Sequence, residues 1–285
     1  SATAISFLRN FSKEKIFNTI CTSATLVHPA PFQHAIDGGL IRNIWAGIGA
    51  TNGLRAADLT NIGITGTCKS LYNVFVESLG ARFNAENIVP EPELKWAVMQ
   101  SYHKQFACCQ YSHSAVEAVL QILPKFNYRE IEKIRLKTHW RGKLLTNLTP
   151  KTTLAAKFSM EHILATSIYH GSANVEAFNS ETLDNSEIKQ LREKISMYLY
   201  DPEPKPPNDR PAEVSIHLYN GKKYIRECLI AEGSASKPFK NERIKQKISS
   251  TLKRYCPKLN SPMQSLLMME EKTLKATWRD TLREL

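Results

Sequence analysis

The chain has 285 residues, of which 42% are hydrophobic and 23% charged, the composition of a globular protein with one large or two ordinary domains. Its 38 Lys and Arg residues outnumber its 27 Asp and Glu residues, and the net charge is +11. No apolar run reaches the roughly 18 residues that a helical membrane span requires, so we expect no membrane-spanning helix. We expect no cleavable signal at the start, where Arg9 and Lys13 interrupt the apolar run, and the sequence is compatible with a presequence removed upstream.

The positive charge is concentrated in two clusters. Seven Lys and Arg residues and no acid lie between Lys133 and Lys157, and eight lie between Lys237 and Lys258 against the single acid Glu242. One such cluster alone is typical of a solvated face, but two clusters and a global excess favour a polyanionic partner such as RNA, or an anionic surface. The nucleic-acid contacts that we predict are Lys137, Arg141, Lys143, Lys240, Arg243, Lys247 and Arg254.

The cysteines indicate a reducing compartment. They are scattered along a chain of this size, and no Cys-x-x-Cys pair occurs. The side chains of the adjacent Cys108 and Cys109 diverge, so we interpret them as structural thiols rather than metal ligands. We predict neither a metal site nor another cofactor.

Residues 1 to about 90 have the patterns of packed helices. Ser12 is placed to cap a helix whose apolar residues recur at helical spacing over Ile16–Ile20. The segment Ile44–Leu59 is rich in Ala and Gly, which predicts an interior helix that neighbours approach closely. Helical spacing returns over Leu71–Leu79.

Helical and strand patterns alternate beyond Pro90 and Pro92, which mark a boundary. The predicted elements are a helix capped by Ser112 or Ser114 and ending at Leu123, a strand over Ile134–Thr138, helices over 152–169 and 186–194, and a hairpin turn at Asn220-Gly221. Tyr198 and Tyr200 alternate with apolar residues, so we interpret them as strand residues rather than as a stacking platform.

The last region is helical again, with an amphipathic stripe over Phe239–Tyr255 and a final helix over Met263–Leu285. The order of helical, mixed and helical regions predicts an α+β protein. Its architecture would be a partial all-helical domain with an inserted α+β lid domain that carries a small antiparallel sheet. We assign the first helical part to residues 1–92, the lid to 93–231 and the closing helices to 232–285.

The stretch Ser101–Val116 holds the most chemistry in the sequence. It places Lys104, two histidines, two cysteines and a hydroxyl-rich turn directly before an apolar helical run. Such a density of reactive side chains at the start of a helix is typical of a ligand site.

Several stretches resemble the MmgE/PrpD family of 2-methylcitrate dehydratases, cis-aconitate decarboxylases and iminodisuccinate epimerases. In family order they are Arg42–Ala57 (RNIWAGIGATNGLRAA), Gly63–Gly66 (GITG), Lys104–Val116 (KQFACCQYSHSAV), Ala156–Met160 (AKFSM) and Arg210–Val214 (RPAEV) with its Asn-Gly hairpin. The resemblance implies the helical domain and inserted lid described above, usually in a homodimer. It begins part-way into the family pattern, so we expect the helical domain to lack the N-terminal helices that carry part of the family's active site.

The resemblance also implies roles for individual residues. Lys104 falls on an active-site lysine that holds a substrate carboxylate, and Arg42 falls where some members have a lysine. Cys109 replaces a histidine of decarboxylase-like members, whereas His113 belongs to a Cys-Cys-x-x-x-His variant of the motif. His162 stands in place of a tyrosine and can substitute for it only if its ring faces the cleft. For His113 the alternative is a helix-start residue hydrogen-bonded to backbone.

Two functional hypotheses follow. The first is an active lyase or isomerase of the family, which acts on a 2-methylcitrate-like or cis-aconitate-like polycarboxylate through Lys104, His113, His162 and Arg42. The second is a non-catalytic structural subunit of a large RNA-containing assembly in the mitochondrial matrix, and the altered cleft positions and the basicity favour it. The apolar faces within residues 1–60 would then be covered by a protein partner or a second copy.

Overall fold

The structure, a computed structural model, describes residues 1–82, 84, 97–206, 208, 210–277 and 279–280. The predicted boundary at Pro90 and Pro92 lies outside these residues. The division into three domains stays a prediction.

The N-terminal region is helical, as predicted. Its helices are α1 (Ala2–Leu8), α2 (Lys13–Thr25), α3 (Gln33–Ile36), α4 (Trp45–Asn61) and α5 (Ser70–Tyr72). Helices α1, α2 and α4 pack against one another. The Ser12 hydroxyl accepts a hydrogen bond from the backbone N–H of Lys15 at 3.3 Å, which confirms the predicted cap of α2. Helix α5 continues into a π-helical turn over Asn73–Ser78.

A four-stranded sheet lies in the second half of the chain, with the strand order β2-β1-β3-β4. Its strands are β1 (Ile131–Thr138), β2 (Ile195–Leu199), β3 (Ala212–Leu218) and β4 (Lys223–Cys228). The α+β class is confirmed. The expectation of an antiparallel sheet is wrong for one pair, because β2 runs parallel to β1. Five helices separate these two strands among the described residues, and such a crossover returns the chain in the same direction.

The core lies on one side of this sheet. Helix α6 (His113–Ile122) packs on β3, on β4 and on α9 (Met160–His170). Alternate strand residues point towards these helices and are fully buried, among them Ile134, Leu136, Val214 and Ile216. The residues between them, such as Lys133 and Arg135, lie on the opposite face of the sheet and are exposed.

Further helices connect these elements and close the chain. They are α7 (Trp140–Lys143), α8 (Thr153–Ala156), α10 (Glu181–Asp184), α11 (Ser186–Glu193), α12 (Asn241–Tyr255), α13 (Asn260–Leu267) and α14 (Glu271–Lys275). The amphipathic helix predicted over Phe239–Tyr255 is confirmed as α12.

Two predicted helices are interrupted in the structure. The helix expected over 152–169 is divided into α8 and α9, because Ser159 is extended and its hydroxyl caps α9 by accepting from the backbone N–H of His162 at 3.0 Å. The helix expected over Met263–Leu285 is divided into α13 and α14 at Met269, whose φ of +55° ends a right-handed helix. Its last five residues lie outside the described residues.

The predicted hairpin turn is confirmed, since Gly221 joins β3 to β4 with a φ of +83°. We expect Gly221→Ala to lower the free energy of unfolding by about 1 kcal/mol, because an added Cβ meets nothing within 4 Å and the cost is conformational. Urea unfolding measures the change, with Gly47→Ala as the comparison. Gly47 lies in α4 with open space around it, so this substitution should raise the free energy of unfolding by up to about 1 kcal/mol. A stabilising Gly221→Ala would contradict this reading of the turn.

Candidate functional site

The stretch Ser101–Val116 forms a loop that leads into α6. Three backbone hydrogen bonds fix it to distant segments: His103 donates to the carbonyl of Gly233 at 2.8 Å, Ala107 to that of Ala173 at 2.9 Å, and Cys109 to that of Lys157 at 2.9 Å. Lys104 and its neighbours are therefore held on a rigid support. This rigidity is what a preorganised ligand site requires.

A cleft of about 670 Å³ lies between this loop and α12. Its basic lining residues come from distant parts of the chain and are Lys104, Lys157, Arg243, Lys247 and Arg254. Among the described residues that line it, Glu176 is the single carboxylate. Its remaining lining is mainly amide, hydroxyl and aromatic, including Asn174, Gln246 and Tyr255.

The charges in this cleft are poorly balanced. Arg254 pairs with Glu176 at 2.5 Å, which uses the cleft's one described carboxylate. Burial lowers the pKa of the Lys247 ammonium, and the nearby charges of Lys104 and Arg243 lower it further. Like charges held together in this way favour a bound anion that can neutralise several of them at once.

The structure brings together two sets of residues that the sequence analysis treated as separate. Lys104, predicted to hold a carboxylate, lines the same cleft as Arg243, Lys247 and Arg254, which were predicted to contact nucleic acid. Lys240 precedes α12 and is not among the cleft-lining residues. Three of the eight cations of the second basic cluster therefore line the cleft, and the other five do not.

The cleft is also lined by three residues that were not predicted as site residues, Lys157, Asn174 and Glu176. Lys157 closes the first basic cluster and lies in the AKFSM stretch, so both signals were available. Nothing in the local sequence around Asn174 and Glu176 indicates a ligand site, because their role depends on the contact of their segment with α12.

His113 is buried beneath the loop, with 1% of its surface exposed. Its Nδ1 lies 3.0 Å from the hydroxyl of Tyr102, and its ring packs edge-on against Phe106. Burial first, and the charge of Lys104 second, lower the pKa of the imidazole to about 3, although backbone groups of Cys108 and Phe106 oppose this. His113 is therefore neutral at physiological pH and does not line the cleft.

Cys109 lies among three cationic side chains. Lys104, Arg42 and Arg210 each favour its thiolate, but burial outweighs them, and the pKa of the thiol is raised. The Arg42 guanidinium stacks on the ring of Phe158 with its central carbon 5.3 Å from the ring centroid. Arg42 therefore lines a groove other than the cleft of Lys104, and the Cys109 thiol is neutral.

His162 lies in the interior of the protein rather than on the cleft. Its Nε2 is 3.3 Å from the hydroxyl of Thr182, and its Nδ1 is 3.2 Å from a guanidinium nitrogen of Arg192. Burial and the charge of Arg192 lower the pKa of the imidazole to about 4. The condition for a tyrosine-like role, a ring that faces the cleft, is not met in this arrangement.

Three predicted nucleic-acid contacts of the first basic cluster lie away from the cleft. Lys137 is on β1, with its ammonium 4.8 Å from the ring centroid of Tyr200. Arg141 and Lys143 are on α7. The central guanidinium carbon of Arg141 lies 4.6 Å from the ring centroid of Trp140, and the Lys143 ammonium donates a hydrogen bond to the carbonyl of Met197 at 2.8 Å. These three cations lie beside the edge strand β2.

Neither a metal cluster nor a membrane helix is found in the described part of the chain. No group of three or more His, Cys, Asp and Glu side chains is arranged there to hold a metal ion. Within the same residues, no helix has the length and apolar character to cross a bilayer. All six cysteines are free, and Cys68 and Cys256 are the exposed ones.

The two buried histidines predict a pH dependence of stability. Both pKa values are lowered in the folded state, so below about pH 6.5 the unfolded chain binds protons that the folded chain does not bind until about pH 4 for His162 and about pH 3 for His113. The contribution of these two histidines to the free energy of unfolding is thus fully present above pH 6.5 and is lost as the pH falls. Each histidine should contribute a slope of about 1.4 kcal/mol per pH unit near pH 5.

Urea unfolding at pH 5.5 and pH 4.5 measures this slope. His113→Gln should lower the slope of unfolding free energy against pH by about 1.4 kcal/mol per pH unit, the contribution of one histidine. The substitution His34→Gln, at an exposed position, is the control. Equal slopes for the two variants would show that His113 is not held neutral by the fold.

Comparison with known proteins finds a family match over much of the chain. The family model of the MmgE/PrpD C-terminal domain matches residues 106–268, more than half of the chain. The matched stretch begins in the loop beneath the cleft and includes the whole sheet and α12. No curated protein matches the chain significantly.

Proposed function

Because the chain belongs to the MmgE/PrpD family, we propose that it is a non-catalytic member that binds polyanions and serves as a structural subunit of a large RNA-containing assembly. The observation that carries the proposal is the cleft of Lys104, where five cations face one carboxylate. A cleft of about 670 Å³ has room for a ligand with several carboxylate or phosphate groups.

The positions of the candidate proton-transfer residues support a non-catalytic role. Dehydration or decarboxylation of a polycarboxylate needs a base beside the substrate carbon and an acid for the leaving group. Cys109 and His113 are buried and neutral, and His162 contacts Arg192 in the interior. A cation of the cleft that keeps its proton binds and orients an anion but does not act as a base.

An exposed apolar face on the N-terminal helices supports the role of a subunit. Helices α1, α2 and α4 border an open groove of about 550 Å³, and Gly47 and Gly49 of α4 face open space. Exposed apolar residues in the same region include Phe7, Phe17, Ile44, Leu54 and Ile62. A protein partner or a second copy of the chain would bury this face. The mitochondrial matrix is the compartment that we propose, on the basis of family resemblance and basicity.

A second candidate function, an active lyase or isomerase of the family, rests on Lys247. Burial and the charges of Lys104 and Arg243 lower the pKa of Lys247 in the cleft, which is the direction that favours a general base. Lys247→Arg separates the two functions, because arginine keeps the charge and cannot take up a proton. The lyase would lose its turnover of cis-aconitate or 2-methyl-cis-aconitate in this variant, whereas a binding protein has none to lose.

Sedimentation of the tagged protein in a lysate tests the structural role. We expect it to migrate with a large particle that ribonuclease and rising salt disperse, because phosphate contacts are salt-dependent. Migration as a free monomer or dimer, unchanged by ribonuclease and by salt, would remove the assembly from the proposal.

A further inference from the structure

We propose that the outer face of the four-stranded sheet binds single-stranded RNA, with Tyr198 stacking on a base and Arg135, Lys137 and Lys223 contacting phosphates. This inference rests on the proposed function for its class of partner, and it concerns a surface separate from the Lys104 cleft.

The register of the strands places these residues side by side on one face. Lys137 is opposite Tyr198 on β2 and Glu213 on β3, and two residues earlier Arg135 is opposite Ser196 and Ser215. Helix α6 packs on the other face of the sheet, where the intervening residues are buried. The outer face therefore presents cations and an aromatic ring together to solvent.

A shallow groove of about 210 Å³ crosses this face. Arg135, Lys137, Tyr198, Ser215 and Lys223 line it together with one carboxylate, that of Glu213. Three cations against one carboxylate give the groove a net positive charge. Groups of this kind, an aromatic ring between cations that follow a backbone, are typical of surfaces that bind single strands without sequence preference.

The remaining groups on this face are consistent with the same partner. Glu227 on β4 accepts a hydrogen bond from the Tyr200 hydroxyl at 3.0 Å, so its carboxylate is engaged at the rim. His217 has its pKa lowered by burial and by the charges of Lys133, Lys223 and Arg135, with a smaller opposing effect of Glu132. The cations therefore dominate the potential at the centre of the face.

The exposed ring of Tyr198 favours a nucleic acid over an acidic peptide. Tyr198 is a strand residue, as the sequence predicted, but half of its surface is exposed near the end of β2, so its ring is accessible for stacking as well. An acidic peptide would use the cations alone, whereas a base gains from stacking on the ring. Loss of the Tyr198 ring should therefore weaken the binding of a nucleic acid but not that of an acidic peptide.

Fluorescence anisotropy with a labelled 12-nucleotide oligo(U) tests the proposal on the full chain. We expect Tyr198→Ala to weaken binding about tenfold and Tyr198→Phe to preserve it, because phenylalanine keeps the stacking face. Arg135→Gln should reduce the dependence of log K on log salt concentration by about 0.7, the contribution of one phosphate contact.

Three results would overturn the inference. Unchanged affinity in Tyr198→Ala, with loss only in the cleft variant Arg243→Glu/Lys247→Glu, would place RNA at the cleft and leave the proposed function intact. Competition by poly-glutamate as effective as that of unlabelled oligo(U) would mean a general anion surface. Absence of oligo(U) binding by the unaltered protein would remove RNA from both proposals.

Discussion

The double variant Arg243→Glu/Lys247→Glu should weaken the binding of citrate by about a hundredfold or more. Both residues line the cleft with Lys104, and the single carboxylate described there is already paired with Arg254. Each reversal replaces an attraction to the bound anion by a repulsion, so it changes the binding free energy by about twice the value of one exposed charge contact, about 1–2 kcal/mol. The measurement is titration calorimetry at low salt.

Lys240→Glu/Lys253→Glu is the matched control for this variant. It makes the same change in net charge on and just before helix α12, but neither Lys240 nor Lys253 is among the residues that line the cleft. Citrate affinity should change by less than about threefold, as expected of a distant and screened charge. A similar loss in both variants would mean that the overall charge, and not the cleft, binds the anion.

The second large effect concerns Phe106, which connects the cleft to the core. Its ring is 7% exposed, packs 5.2 Å from the ring of His113 and belongs to a buried cluster with Val116, Ile163 and Phe178. Phe106→Ala removes this contact and leaves a cavity, so the free energy of unfolding should fall by about 3–5 kcal/mol. Urea denaturation followed by circular dichroism measures the change.

Tyr219→Ala provides the comparison for this truncation. Tyr219 is 67% exposed and contacts Lys194, so the same loss of a ring at the surface should cost at most about 1 kcal/mol. If Phe106→Ala were equally mild, the loop beneath the cleft would not be anchored in the core, and the preorganisation of Lys104 would lose its support.

Local sequence patterns predicted the local elements well. The Ser12 cap, the Asn-Gly hairpin and α12 depend on contacts within a few residues, and each is confirmed. The interruptions at Ser159 and Met269 were missed, because hydrophobic periodicity continues through a capped break or a single left-handed residue. The parallel pairing of β2 with β1 was missed because strand direction depends on the whole crossover between them.

The sequence predicted the charged residues of the candidate site but not their grouping in one cleft. Lys104 and the basic residues of α12 were each selected, for different reasons, since their separation along the chain hides their contact across one cleft. The burial of His113 and His162 could not be inferred from spacing, because it depends on Phe106 and on Arg192 in other segments. Residue type thus indicated the charges of the site, and the tertiary fold determined which of them meet.

The central claim is that the cleft binds a polycarboxylate without converting it. A single ¹H NMR sample of the intact protein with excess cis-aconitate tests both parts at once. We predict broadening of the ligand resonances, lost in Arg243→Glu/Lys247→Glu, and no new resonances over days. Resonances of a hydrated or decarboxylated product that disappear in Lys104→Ala would contradict the claim and establish the chain as a lyase.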